Sequence, residues 1–439
     1  MCAVFKNTTG LIRLQKIGFL LLGFLLGSVA PVWGNLFNGV LIALTFLGIM
    51  ASNNTLASIK SGRVYIGMNV LFLLYFALHT IIILTMGNME GKPSYSMFEA
   101  LSLGFILIPV YVVLLKEWLT PELIRKFLAC FCIGCLVMQV YILHELIGFW
   151  YITNLKESMY TLVMIRFGDN RPILGTVYLL EMRAMGMAVG ALCSYFFVFT
   201  GRNAGMRIVW GIIFALLLLF LVLTVTKSAI LGFILGFIIM NVYLFRISTR
   251  SRRWGIIVCL LLLMGGGLFS LLRVEKFGRR VDEIKQDIAN IKSGNLQGET
   301  IAPRVAIYKE TLAHLDEFGL WGVGVYAKDR VNNWFANSEM EISVYYNVHS
   351  AFLQFWVQGG MWGLFFVLYL FFASIVKYWK KGREFPYFVS AFVMIFFISS
   401  CFCVTLSKMN ARPLILFFLA LFYFYGDMFP VLVNKKTGN

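Results

Sequence analysis

Arg273-Val274-Glu275-Lys276-Phe277-Gly278-Arg279-Arg280-Val281-Asp282-Glu283-Ile284 opens a long polar stretch in a chain of 439 residues that otherwise reads as one apolar segment after another. The stretch runs to His349. Val274, Phe277, Val281, Ile284, Ile288 and Ile291 recur at alternating intervals of three and four, a spacing that lines them up on one helical face. A second helix is expected from Pro303, which suits a first helical position, with Arg304 at its start and Val305, Tyr308, Leu312 and Leu315 along one side. A glycine-rich turn, Trp321-Gly322-Val323-Gly324-Val325-Tyr326, follows. The island ends at Val348-His349-Ser350, where apolar sequence resumes.

What surrounds the island sets the fold class. With 60% hydrophobic and 13% charged residues, the chain lies outside the soluble range, whose apolar share is nearer ~45–50%. The apolar runs are continuous and lack the period-two alternation of a β-barrel, so they are helices of about 20 residues crossing a bilayer. Twelve are expected, near 15–33, 36–52, 64–87, 96–115, 127–150, 177–200, 208–226, 228–246, 255–272, 350–376, 387–405 and 413–432. The first follows Lys16 and ends in Gly27-Ser28-Val29-Ala30 like a signal peptide, but the many later spans favour an uncleaved helix. The chain then divides into a nine-helix membrane region at 1–272, the island at 273–349, and three helices with a tail at 350–439. The expected fold is an all-α integral membrane protein of about 12 transmembrane helices with one large helical loop.

An even number of spans puts both termini on one side. Connectors on that side carry most of the cations, among them Lys60, Arg63, Arg125, Lys126, Arg250, Arg252, Arg253, Lys380, Lys381 and Arg383. By the positive-inside rule the termini are cytoplasmic and the island is external, periplasmic in a Gram-negative cell. The same distribution accounts for the net charge of +17 without nucleic acid as a partner. Eight cysteines occur. Cys132 and Cys135 share a helix face but have no histidine or carboxylate at ligand spacing, so buried thiols are the simpler reading, and no disulfide framework follows.

Some cations stand where topology does not ask for them: Lys227 in a tight external turn, Arg183 at the mouth of the sixth span, and Lys408 and Arg412 around the eleventh connector. With Arg304 and His349 they are expected near one external surface. Such a cluster suits an anionic head group, above all pyrophosphate, whose charge as a leaving group guanidinium and ammonium can stabilise. Singly, each has a plainer reading: Lys408 as an interfacial side chain reaching lipid phosphate, Arg183 as the partner of Glu181 or Glu145, His349 as an interface cap. A neutral imidazole there can also accept a proton from, or orient, a sugar hydroxyl. No metal motif, nucleotide fingerprint or hydrolase triad stands out, so cofactor-free, metal-independent chemistry is expected.

Three patches resemble the O-antigen ligase and polymerase superfamily of bacterial inner membranes: Pro303-Arg304-Val305-Ala306-Ile307-Tyr308 leading to Gly322-Val323-Gly324; Val348-His349-Ser350-Ala351-Phe352-Leu353-Gln354 through Gly359-Gly360-Met361-Trp362-Gly363; and Thr224-Val225-Thr226-Lys227-Ser228-Ala229-Ile230-Leu231. The similarity covers roughly 208–376. It implies a fold like that of GT-C-type membrane glycosyltransferases, with a dozen or so helices and a large periplasmic loop. It also implies an undecaprenyl-pyrophosphate-linked glycan as donor and functional roles for Arg304 and His349. Lys227 stands where the family usually has arginine, keeping the charge but losing the bidentate fork. His349-Ser350 stands for the usual His-Asn pair, and no proline precedes Gly322.

The resemblance implies an inverting transfer of O-antigen to lipid A-core in lipopolysaccharide biosynthesis, with His349 at the acceptor hydroxyl and Arg304, Lys227 and Arg412 at the pyrophosphate. A polymerase using the same donor is the nearest alternative. A lipid-linked glycan transporter is the alternative from another class, although transporters gather polar groups near the midplane on broken helices in paired repeats, and no repeat is visible here.

Overall fold

The computed structural model describes residues 8–28, 34–52, 55–86, 103–153, 180–201, 203–224, 226–248, 253–257, 275–294, 296, 301–339, 342, 348–379, 385–406 and 411–429. Among them the chain is helical throughout, with no strand. The helices are α1 (Thr8–Ser28), α2 (Gly34–Ala51), α3 (Thr55–Ser61), α4 (Arg63–Met86), α5 (Ile108–Leu114), α6 (Pro121–Thr153), α7 (Leu180–Thr200), α8 (Ala204–Leu223) and α9 (Lys227–Ile247). In the island lie α10 (Glu275–Lys292), α11 (Ala302–Ala313), α12 (Leu315–Phe318) and α13 (Ala327–Ala336). The chain then continues as α14 (Ala351–Trp379), α15 (Phe385–Phe402) and α16 (Arg412–Tyr425).

Seven of the described helices are long and apolar enough to cross a membrane, and two shorter apolar helices, Pro386–Phe402 and Arg412–Tyr425, pack among them. The chain is an all-α integral membrane protein. Most of the ninth expected segment, 255–272, lies outside the described residues. The fourth is not one regular α-helix: a π turn at Leu103–Leu107 precedes α5, and a 3-10 turn at Leu115–Glu117 follows it.

One difference from the sequence expectation lies at the island's junction, and the island's packing adds a feature that the spacing leaves open. The segment read as one span at 350–376 is broken at Gly360, whose φ of 60° and ψ of −156° interrupt α14; that backbone region is open essentially to glycine alone. In α11 the buried residues are Ala302, Ala306, Ile307 and Thr311, while Leu312 and Leu315 are 44% and 40% exposed. Apolar spacing marks a face that avoids water, and beside a membrane that face need not be the one against protein. The island has its own small core of Ile307, Phe318, Val323, Val331, Trp334 and Phe335, continuous with Val348, Leu353 and Val357 at the start of α14. Asp287 of α10 is buried and accepts a hydrogen bond from Ile301 N at 2.7 Å, tying α10 to the entry of α11.

Candidate active site

The C-terminal end of α15 is where the candidate residues meet. Tyr308 Oη donates to the carbonyl of Cys401 at 3.1 Å and to that of His349 at 3.3 Å. Ala351 N donates to the carbonyl of Cys403 at 3.1 Å. One turn before Tyr308 on α11, the Arg304 guanidinium lies 5.9 Å from the centre of the Phe402 ring. Arg304 and His349, 45 positions apart by their numbers, therefore share one scaffold, the 401–403 turn. Burial pushes the Tyr308 hydroxyl up to about 12, against the pull of the Arg304 charge, so it remains a donor at any physiological pH.

Local sequence explains how His349 is presented. Ser350 is the N-cap of α14: its hydroxyl faces Leu353 N at 3.4 Å, and its carbonyl accepts from Gln354 N at 2.9 Å. Gln354 Oε1 reaches back to Val348 N at 3.5 Å, so the chain is gripped on both sides of His349. His349 takes the left-handed backbone, φ 51°, the one described non-glycine residue to do so. Histidine is enriched in that region relative to most residues, but it is still uncommon there and persists where surrounding contacts impose it. Serine and asparagine are near-equal N-caps, so the serine at 350 keeps the cap that the usual asparagine would supply.

The glycine motifs serve the same junction. Gly322, φ 81°, and Gly360 lie back to back: a Cβ on Gly322 would strike the Gln358 carbonyl, and one on Gly360 would overlap the Leu320 carbonyl. Val323 N donates to Val357 O at 2.8 Å, Met361 N to Leu320 O at 3.2 Å, and Trp356 Nε1 to Gly319 O at 2.9 Å. From α4, Tyr75 Oη reaches Trp321 O at 2.8 Å and Gly359 O at 3.1 Å. The first part of α14, which carries His349 at its mouth, is thus fastened to the island by backbone hydrogen bonds.

Helix packing brings the remaining cations to this end. Gly232 and Gly236 of α9 let it approach α15 closely, Gly232 against Ile395 and Gly236 against the Ala391 carbonyl. Carried to the start of α9, that antiparallel register sets Lys227 level with Ser400. A Cβ on Gly186 would lie 4.0 Å from the Leu414 side chain, and Arg183 sits one turn nearer the start of α7, so it stands beside the start of α16. There Arg412, 4% exposed, donates from Nε to the Leu406 carbonyl at 2.6 Å. Arg183 is 5% exposed. Lys227 and Arg412 each begin a helix, where the backbone dipole adds to the attraction for an anion.

The structure therefore gathers Arg183, Lys227, Arg304, His349 and Arg412 at one end of the bundle. Lys408 lies outside the described residues, as do the side chains of Glu181 and Glu145. Sequence reading treated Tyr308 only as a residue on an apolar face; its spacing of four from Arg304 was the available signal that the two work on one side of α11.

A search of curated proteins returns no match to this chain. Residues 212–368 match the family model described as O-antigen ligase, an interval that runs from within α8 through the break in α14 and contains Lys227, Arg304, Tyr308 and His349. Over that interval the chain is similar to the O-antigen ligase family, and the match covers the stretch that carries the candidate residues of the island and its junction.

Proposed function

We propose that the protein is an O-antigen ligase of the bacterial inner membrane, transferring a glycan from an undecaprenyl-pyrophosphate carrier to a hydroxyl of lipid A-core on the periplasmic side. The observation that carries this reading is the meeting of the His349 backbone and the Arg304 guanidinium at the 401–403 turn through Tyr308. It is joined by Lys227, Arg183 and Arg412 at the same level, within a membrane protein whose residues 212–368 are similar to the O-antigen ligase family.

In the proposed reaction the His349 imidazole takes the proton of the acceptor hydroxyl as that oxygen bonds to the anomeric carbon. The bond from the anomeric carbon to the phosphate oxygen breaks on the opposite face, inverting the centre. The electron pair leaves with the pyrophosphate, held by Arg304 and Lys227, with Arg183 and Arg412 adding to the field. The chemistry needs no metal ion in this scheme, since fixed cations meet the charge of the leaving group.

His349→Ala is expected to lower transfer by roughly 10²–10⁴ in a reconstituted assay with purified protein, lipid-linked donor and lipid A-core, and to leave bare lipid A-core in cells that express the variant normally. An unchanged lipopolysaccharide ladder would remove His349 from the chemistry. Gene deletion separates the polymerase reading: loss of a ligase accumulates carrier-linked polymer beside bare lipid A-core, whereas loss of a polymerase leaves a single capped repeat.

A further inference from the structure

A second feature runs along α15 from its start, with its mouth at the end opposite the cations that meet near Cys401. Helices α9, α14 and α15 enclose a groove of about 740 Å³ lined by Phe372, Trp379, Tyr387, Met394 and Phe397, with Arg246 at its outer end. Its rim opens on the lipid-facing surface, where Phe372 is 39% and Trp379 72% exposed. The Arg246 guanidinium lies 4.6 Å from the centre of the Tyr387 ring, which orients the charge at the groove mouth. Tryptophan and tyrosine are the residues that mark a membrane–water interface.

The groove has the length of one leaflet. From Pro386 to Phe397 it follows α15 for roughly 16 Å at 1.5 Å per residue, about half of a ~30 Å hydrocarbon core. An apolar trough one leaflet deep, with a cation held at the interfacial end, matches a diacyl lipid with an anionic head group. Phe397 lies one helical turn short of Cys401, so the inner end of the trough comes near the cation cluster, and what assigns the trough to a phospholipid is the cation at its outer end. We propose that this groove is a binding site for one anionic phospholipid of the leaflet opposite the cation cluster, the cytoplasmic leaflet by the positive-inside reading.

The test is native mass spectrometry of the full, delipidated protein titrated with phosphatidylglycerol or phosphatidylethanolamine. One phosphatidylglycerol is expected to be retained in preference to phosphatidylethanolamine. Arg246→Gln, at the exposed mouth, is expected to weaken that binding roughly fivefold and to leave phosphatidylethanolamine unaffected, and Met394→Trp, which fills the trough, to abolish it. Equal retention of the two lipids by the unaltered protein, or phosphatidylglycerol retention that survives both substitutions, would overturn the proposal. So would displacement of the bound phospholipid by undecaprenyl phosphate in equimolar competition.

Discussion

At one end of α15 the carbonyls of Cys401 and Cys403 are taken up by Tyr308 of the island and by the first amide of α14, and the Leu406 carbonyl by Arg412. At the other end Tyr387 and Met394 face an open trough whose charged group, Arg246, is held by a ring. The same helix is cross-linked by directional bonds where cations and an imidazole must keep fixed positions, and left concave where disordered acyl chains can fill any shape. Preorganisation is useful only where charge develops during a reaction. Substitutions that loosen the first end should therefore change transfer without touching lipid retention at the second, and that separation can be probed at three depths.

The largest effect is expected at Gly360. Alanine there takes on a backbone conformation costing about 1–3 kcal/mol and drives its Cβ into the Leu320 carbonyl. Gly360→Ala should lower the unfolding temperature in detergent and reduce transfer. Gly211→Ala within α8, where a Cβ meets nothing, should be neutral or slightly stabilising. If Gly360→Ala unfolds at the temperature of the unaltered protein, the break in α14 is not held by the glycine turn.

Tyr308→Phe comes next. It removes one donor shared by two carbonyls, a loss of about 0.5–1.5 kcal/mol in stability. Transfer should fall about tenfold while phosphatidylglycerol retention stays constant, since His349 loses the contact that fixes its carbonyl. The pH dependence carries a sign. Because the folded state holds the phenolic proton more tightly than the unfolded chain, up to about 12 against an ordinary 10, this contribution to stability is complete below pH 10 and lost as pH rises toward 12. Thermal unfolding measured across that range should show a decline in the native protein that is smaller in Tyr308→Phe. Identical profiles would mean that the Tyr308 hydroxyl is not buried in the folded protein.

Much of this was legible in the sequence, and the part that was not has a common cause. Continuous apolar runs announced the spans because a helix in lipid must be apolar along its whole length, and α4, α7, α8 and α9 lie where those runs predicted. His349 and Arg304 were singled out through their motifs, and both come to the end of α15. The partner of Tyr308, the Cys401 carbonyl, was not, because a main-chain oxygen 93 positions away has no side-chain signature. Gly360 was visible as a glycine beside another glycine, but its reason is the Leu320 carbonyl pressed against it. The exposure of Leu312 and Leu315 was not legible, because apolar spacing marks a shared face without saying what that face meets.

The smallest effect tests whether the motif around His349 is there for chemistry or for shape. Ser350 caps α14 through its hydroxyl, and removing such a cap costs typically about 1 kcal/mol. Ser350→Ala should thus lower the unfolding temperature slightly and reduce transfer only as far as His349 loses its fixed approach. Ser350→Asn should restore both, because asparagine caps as well as serine does. The informative measurement is the split between kcat and KM in the reconstituted assay. A cap that only positions the imidazole predicts that Ser350→Asn matches the unaltered protein in both. A residue that itself binds the acceptor sugar predicts a KM that shifts with the change of donor geometry from hydroxyl to amide. A matched kcat with a displaced KM in Ser350→Asn would move residue 350 from the scaffold at the fixed end of α15 into the substrate site.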